Sequence, residues 1–176
     1  DYGEIIRRYD RIYGSGLHSS YRSAGRIRTL KTEAERYSSI TGHLPVKVRQ
    51  HWLLLKMPDT YRDFSEAGMT HDYTMGYHDE PGFRAGIARP FPFYDLATER
   101  ATGLTVVPFQ VMDVTLRKYM HLQPEAALEV IRTLLAATRD AGGLFVSIWH
   151  NTSLNECNGW EGWRALFEEM LLMQKA

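Results

Sequence analysis

Six titratable or charged residues in this sequence share the same kind of address, at or just after one of five short apolar or β-branched runs. His18 follows the run around Gly16–Leu17, and Arg49 and His51 follow Val46–Val48. Asp72 falls in the run Met69–Tyr73, and His150, with Asn151 beside it, follows Leu144–Trp149. Asp113 stands a few residues beyond the fifth run, Leu104–Phe109. In parallel α/β sheets and barrels the carboxyl ends of the strands face the active site. Imidazole, guanidinium and carboxylate groups gathered there suit proton transfer and metal ligation. His18, Arg49, Asp72 and His150 are therefore expected to line one end of a single sheet.

Other chemistries find less support. Ser15, Ser19 and Ser20 lie near His18, but no Gly-x-Ser-x-Gly elbow is present. Cys157 sits in a polar stretch, ECNGW, with no histidine nearby to activate it. No phosphate-cradling glycine loop, zinc-finger spacing or His-Glu-x-x-His occurs, which disfavours hydride and phosphoryl transfer. Asp79 and Glu80 are adjacent, point apart, and make a poor acid/base pair.

The elements that must position these groups are marked by their punctuation. Ile5, Ile6, Tyr9, Ile12 and Tyr13 fit one helical face, with Gly14 as a stop. Ser23 can cap a second helix whose face is Ile27, Leu30, Ala34, Tyr37 and Ile40, ended by Gly42. A shorter helix begins near Pro58, buries Tyr61, Phe64 and Ala67, and stops at Gly68. Pro124 opens another, with Leu128, Ile131, Leu134 and Leu135 inward and Gly142–Gly143 closing it. The last runs from about Trp160 through Leu171, and its indoles read as core packing. Strand-like runs alternating with helices indicate βα units and a parallel sheet.

Between these elements Met69–Leu96 stands apart. It gathers two His, three Asp, two Arg, three Pro and six aromatic residues, and holds neither a helical nor a strand period. A long irregular stretch so rich in aromatics is expected to be pinned and functional rather than mobile. Arg84 within it is expected to be buried against a carboxylate or backbone carbonyls.

Composition sets the outer bounds. The 176 residues make one domain by the usual size prior, with 44% apolar and 24% charged residues. Lys plus Arg and Asp plus Glu balance at 21 each, so no global field draws in nucleic acid. A single cysteine permits no internal disulfide, and no run reaches transmembrane length. Neither the compartment nor the oligomeric state can be read from the chain.

Taken in order, GLHSSYRS at 16–23, RQHWL at 49–53, AGMTHDYTMGYHDEPGFRAG at 67–86, PFYDL at 92–96 and IWHN at 148–151 carry a resemblance. Along essentially its whole length the chain resembles the polysaccharide deacetylase superfamily (NodB homology, carbohydrate esterase 4-like), in a divergent bacterial branch. The GFRAG-containing segment is its most specific part. The resemblance implies an α/β fold, a distorted (β/α) barrel, and a hydrolase that removes acetyl groups from carbohydrate with a divalent metal, zinc above all. It implies catalytic roles for His150, Asp72 and Arg49: His150 as the catalytic histidine, Asp72 as its supporting aspartate, and Arg49 as the arginine that steadies the base. His18 corresponds to the first histidine of the family's His-Ser/Thr-x-x-His metal motif. Trp52, Tyr73, Tyr77 and Arg84 are the expected substrate-binding residues.

Three departures qualify this. The second histidine of the metal motif is Arg22, a cation that cannot ligate a metal. His51, where the family usually has proline, is either a replacement ligand or a packed surface histidine. The family's Asp-Asp strand end, which supplies base and ligand, would precede residue 1. The chain is thus expected to be a partial catalytic domain spanning 1–176 and lacking its N-terminal strand or strands. On that expectation the intact protein is a hydrolase and this piece alone is not. The alternatives are a degenerate barrel that binds carbohydrate without catalysis, or a structural domain.

Overall fold

The structure, a computed structural model, describes residues 1–173. The polypeptide divides into two compact units, one of residues Asp1–Met75 with Pro90–Val107, the other of Gly76–Arg89 with the chain from Pro108 onward. In chain order the first unit holds α1 (Tyr2–Tyr13), β1 (Leu17–Ser19), α2 (Ile27–Thr41), β2 (Lys47–Gln50), α3 (Asp59–Glu66), β3 (His71–Asp72), β4 (Phe91–Asp95) and β5 (Arg100–Val106). The second holds β6 (Val111–Met112), α4 (Pro124–Asp140), β7 (Ser147–Ile148) and α5 (Trp163–Met173). Among the described residues no helix is long and apolar enough to cross a membrane.

The first unit is a mixed α/β layer. Its sheet runs in the order β1-β2-β3-β5-β4, with β1, β2, β3 and β5 parallel and β4 antiparallel to β5. Leu30 and Ala34 of α2 and Tyr61 and Phe64 of α3 pack with Val48, Leu104 and Val106 from the strands. Burying such side chains is the main stabilising term, about 1.5–3 kcal/mol for each large one. Gly42 ends α2 in a left-handed conformation (φ 89°), where a Cβ would be strained. The expected cap at Ser23 does not form. Ser23 lies in a 3₁₀ turn, Tyr21–Ser23, and its hydroxyl turns back to the Ser20 carbonyl at 2.7 Å. The helix starts four residues later, behind Arg26, with no side-chain cap.

Helix α1 is amphipathic as expected, but none of its residues is buried. Ile5, Ile6, Tyr9, Ile12 and Tyr13 all face solvent among the described residues. What ties the helix down is polar. Asp10 accepts from the Ser15 backbone N–H (2.9 Å) and hydroxyl (2.6 Å), from the Tyr37 hydroxyl (3.1 Å) and from His43 Nε2 (2.7 Å). These bonds, Ser15 first, hold the Asp10 carboxyl far below the usual carboxylate range.

The second unit packs α4 and α5 on a two-stranded parallel sheet, β6 and β7, in register Val111↔Ser147 and Met112↔Ile148. Its core joins Val111, Leu116, Ile131, Trp163, Leu166 and Met170. Trp160 meets Trp163 edge to face at 5.2 Å, and the Arg117 guanidinium lies 4.5 Å over the Trp160 ring, so these indoles are structural.

The runs read as one sheet therefore build two. The first of them includes β4, a strand hidden in the stretch read as irregular. It takes the second edge of β5 and leaves no place beside β5 for β6 or β7.

Candidate functional site

Strand register places the first group. His18 stands opposite Arg49 on neighbouring parallel strands, and Ser19 opposite Gln50. One pair further back, Asp72 is opposite Val48 on one side and Val106 on the other. Side chains in one row of a sheet share a face, so the Asp72 carboxylate sits in the row of two core valines. It is fully buried, and desolvation pushes its pKa up to about 6. Hydrogen bonds from the Thr74 backbone N–H (3.0 Å) and hydroxyl, with lesser help from the Tyr61 hydroxyl and the Arg49 charge, only partly oppose that rise. Beside it Gln50 is wholly satisfied: it accepts from Ser19 Oγ (2.9 Å), donates to the Ser20 carbonyl (2.8 Å), and its backbone N–H reaches Thr74 Oγ (3.0 Å).

Above this floor the two histidines meet. His18 Nδ1 lies 3.0 Å from the Arg49 carbonyl oxygen, and His51 Nδ1 lies 3.0 Å from His18 Nε2. A carbonyl only accepts, so His18 carries its proton on Nδ1. His51 Nδ1 faces the other nitrogen of that ring, Nε2. The rings are tilted, with centroids 4.8 Å apart. Arg49 turns its Nε–H to the Tyr73 carbonyl at 3.0 Å, and burial lowers the pKa of its guanidinium. The Tyr73 backbone thus anchors Arg49. Trp52 directly follows His51 and is exposed.

Does this group fit a divalent ion? It supplies two imidazoles. No carboxylate completes it: among the described residues no cluster of three or more His, Cys, Asp or Glu could hold a metal. Catalytic zinc takes three protein ligands and structural zinc four. The residues present do not make up a metal site.

The second group belongs to the second unit. Asp113 follows β6 and is fully buried. Its carboxylate accepts from His150 Nδ1 (2.8 Å), the His150 backbone N–H (2.7 Å), the Val114 backbone N–H (2.6 Å) and the Ser153 hydroxyl. The parallel register of β6 with β7 brings Asp113 to His150, since each is one or two residues past a paired strand. Ser153 closes the arrangement by also donating to the His150 carbonyl at 2.6 Å within the 3₁₀ turn Asn151–Leu154. Just beyond Asp113 the chain forms a π-helical turn, Thr115–Tyr119, a rare form found often at functional sites.

Within its own unit His150 thus has a carboxylate partner that the expected roles did not name. The aspartate that orients His150 is Asp113, whereas the partners of Asp72 are Thr74, Tyr61 and Arg49. The signal was present in the sequence, since Asp113 follows a short apolar run, but only register shows which strand lies beside His150. Arg84 also differs from expectation. It is exposed rather than buried, although it does find a carbonyl, donating to Gly76 at 3.0 Å and lying 5.9 Å from the centre of the Tyr77 ring.

Comparison with solved structures gives the fold. A crystal structure of a candidate polysaccharide deacetylase from Mycobacterium smegmatis matches with a TM-score of 0.67 and 21% identity over 99% of this chain. The fold is deacetylase-like. A candidate polysaccharide deacetylase involved in O-antigen biosynthesis, from Bordetella bronchiseptica, gives a TM-score of 0.45 at 15% identity over 88% of this chain and 58% of its own. No protein-family profile matches the chain, and no curated protein does. The chain spans 61% of the length of the Mycobacterium smegmatis protein. The deacetylase-like likeness at this identity concerns the backbone, so the chemistry must be argued from the two groups above.

Proposed function

We infer that this chain is the catalytic-domain portion, with a distorted (β/α) barrel plan, of a hydrolase that removes acetyl groups from carbohydrate. The observation that carries the reading is His150 held by Asp113. A buried carboxylate that fixes the Nδ1–H tautomer leaves Nε2 as the nitrogen whose proton comes and goes, the arrangement of a general acid or base. In acetyl-group hydrolysis such a histidine delivers a proton to the leaving nitrogen or oxygen as the C–N or C–O bond breaks. The deacetylase-like fold and the position of His18, Arg49 and His51 on neighbouring parallel strands support the same class. In this reading Arg49 orders the end of β2, and Trp52, Tyr77 and Arg84 contact the sugar. The metal-assisted step of such enzymes is not assigned to these residues, because their donor set is too small.

The test is acetate release from an acetylated sugar oligomer by the intact protein of which this chain is the proposed portion. His150→Ala is expected to lower the rate on the order of a hundredfold or more, with the melting temperature little changed because the ring is partly exposed. An undiminished rate in His150→Ala would overturn the assignment. A second reading, a non-catalytic carbohydrate-binding domain, is favoured by Arg22 in the metal motif and by the incomplete ligand set. Sugar binding without acetate release by the intact protein would select it.

A further inference from the structure

Helix α1 carries an apolar stripe that nothing among the described residues covers. Tyr2, Ile5, Ile6, Tyr9, Ile12 and Tyr13 recur at the a, d and e places of two successive heptads. At about 100° a residue they fall within one arc of about 120°. All six are exposed, Tyr2 at 87%, Tyr9 at 55% and Ile12 at 56%, and the Tyr9 and Tyr13 rings stack at 6.0 Å along the stripe. The helix meets α2 by a different side, through Asp10 and its bonds with Tyr37 and His43. A contiguous apolar patch of this kind marks an interaction site.

The charges beside the stripe indicate the partner. Glu4, Arg8 and Arg11 share the flank away from Asp10, with the acid in the first turn and Arg11 in the last. Among the described residues none of these three makes an ion pair or a side-chain hydrogen bond. In a two-fold pair of antiparallel helices like flank meets like flank, head to tail. With the axis level between Arg7 and Arg8, Glu4 comes level with Arg11 of the second copy, Tyr2 with its Tyr13 and Ile6 with its Tyr9. A lipid surface fits less well. Helices that lie on membranes carry a cationic polar face, whereas here Arg7, Arg8 and Arg11 are matched by Asp1, Glu4 and Asp10.

We propose that α1 is a self-association surface that pairs with α1 of a second copy of this chain, antiparallel about a two-fold axis. Six side chains from each copy are fewer than the roughly 20–30 residues a side of a standard interface, so the pair is weak and forms at high concentration. The experiment is sedimentation velocity of the full chain from about 5 to about 500 µM. The weight-average mass is expected to climb from that of one chain toward that of two. Tyr9→Lys should hold it at one chain throughout, while Leu96→Lys, at an exposed leucine between β4 and β5, should change nothing. Glu4→Arg and Arg11→Glu should each weaken the pair about three- to tenfold. An equimolar mixture of those two variants should regain parent association, because opposite charges then face each other again. None of these outcomes bears on acetate release, since α1 holds no candidate site residue. A chain that stays single at every concentration would overturn the proposal, as would a Tyr9→Lys chain that pairs like the parent. A mixture no tighter than either variant alone would overturn the antiparallel pairing. A single chain that sediments with phosphatidylglycerol vesicles would overturn the second copy in favour of a lipid surface.

Discussion

At the scale of single residues, the buried aspartates Asp72 and Asp113 are held by different partners. Asp72 has its folded pKa raised to about 6 from 3.8, chiefly by desolvation. Between those values the folded state binds more protons than the unfolded one, so stability falls as pH rises through that window. The penalty is absent below the unfolded value, complete above the folded one, and about 3 kcal/mol in size. Asp72→Asn keeps an acceptor for Thr74 and removes the ionisation. Thermal melts of this variant should therefore lose the decline between pH 4 and 6 that the parent shows; an unchanged decline would place the titration elsewhere. Asp113 is instead an acceptor on both oxygens for two backbone N–H groups, a ring N–H and a hydroxyl. Asp113→Asn turns one of those oxygens into a donor, which strands at least one buried N–H and costs about 1–3 kcal/mol. Acetate release should fall by more than that loss of folded protein accounts for, because the His150 tautomer is no longer fixed. Gly76 is constrained by shape alone. A Cβ there would sit 2.2 Å from the buried Phe109 ring, so Gly76→Ala should destabilise by about 1–3 kcal/mol, seen as a lower urea midpoint.

At the scale of elements, an ion pair ties the β4–β5 hairpin to α3 beside the packing of Tyr61 and Phe64 on Phe93, Leu104 and Val106. Arg62 donates through Nε and Nη2 to the two oxygens of Asp95, each at 2.7 Å, and the pair holds the Asp95 pKa down to about 2. A depressed carboxyl contributes stability that is present above its unfolded pKa of 3.8 and lost as pH falls toward the folded value. Amide exchange in β4 should therefore quicken selectively on acidification below pH 4, and Arg62→Ala should quicken it at neutral pH. The same hairpin shows where sequence reading stops. Helices α2, α3 and α4 were legible because Gly42, Gly68 and Pro124 punctuate them and their apolar spacing is regular. β4 was not. Its inward row is Phe91, Phe93 and Asp95, and an inward aspartate breaks the apolar alternation unless its distant partner Arg62 is known. Pro92, facing outward on an edge strand, reads as a breaker although the geometry tolerates it there. β6, only two residues long, carries too short a period to read. The candidate residues fared similarly. His18, Arg49 and Asp72 were locatable as strand-end groups, but which groups touch is set by register, which a lone sequence leaves open.

At the scale of the whole chain, each unit has its own core, and three of the four tryptophans, Trp149, Trp160 and Trp163, report on the second. A single catalytic domain is expected to lose tryptophan fluorescence and far-ultraviolet ellipticity in one coincident transition. Two separated midpoints would show the cores melting independently. Helix α1 meets a protease on different terms from the rest. Twelve residues are too few for a stable helix in water, and this one buries no side chain to compensate. Its fastening is the Asp10 cluster with Ser15, Tyr37 and His43, and three trypsin sites, Arg7, Arg8 and Arg11, ride on it. Cleavage reads the population of the open segment when opening is fast. Limited trypsin should cut in α1 before any site in α2 or α4, and Asp10→Ala should hasten that first cut alone. The lifetime of the uncut chain then becomes a clock for one carboxylate.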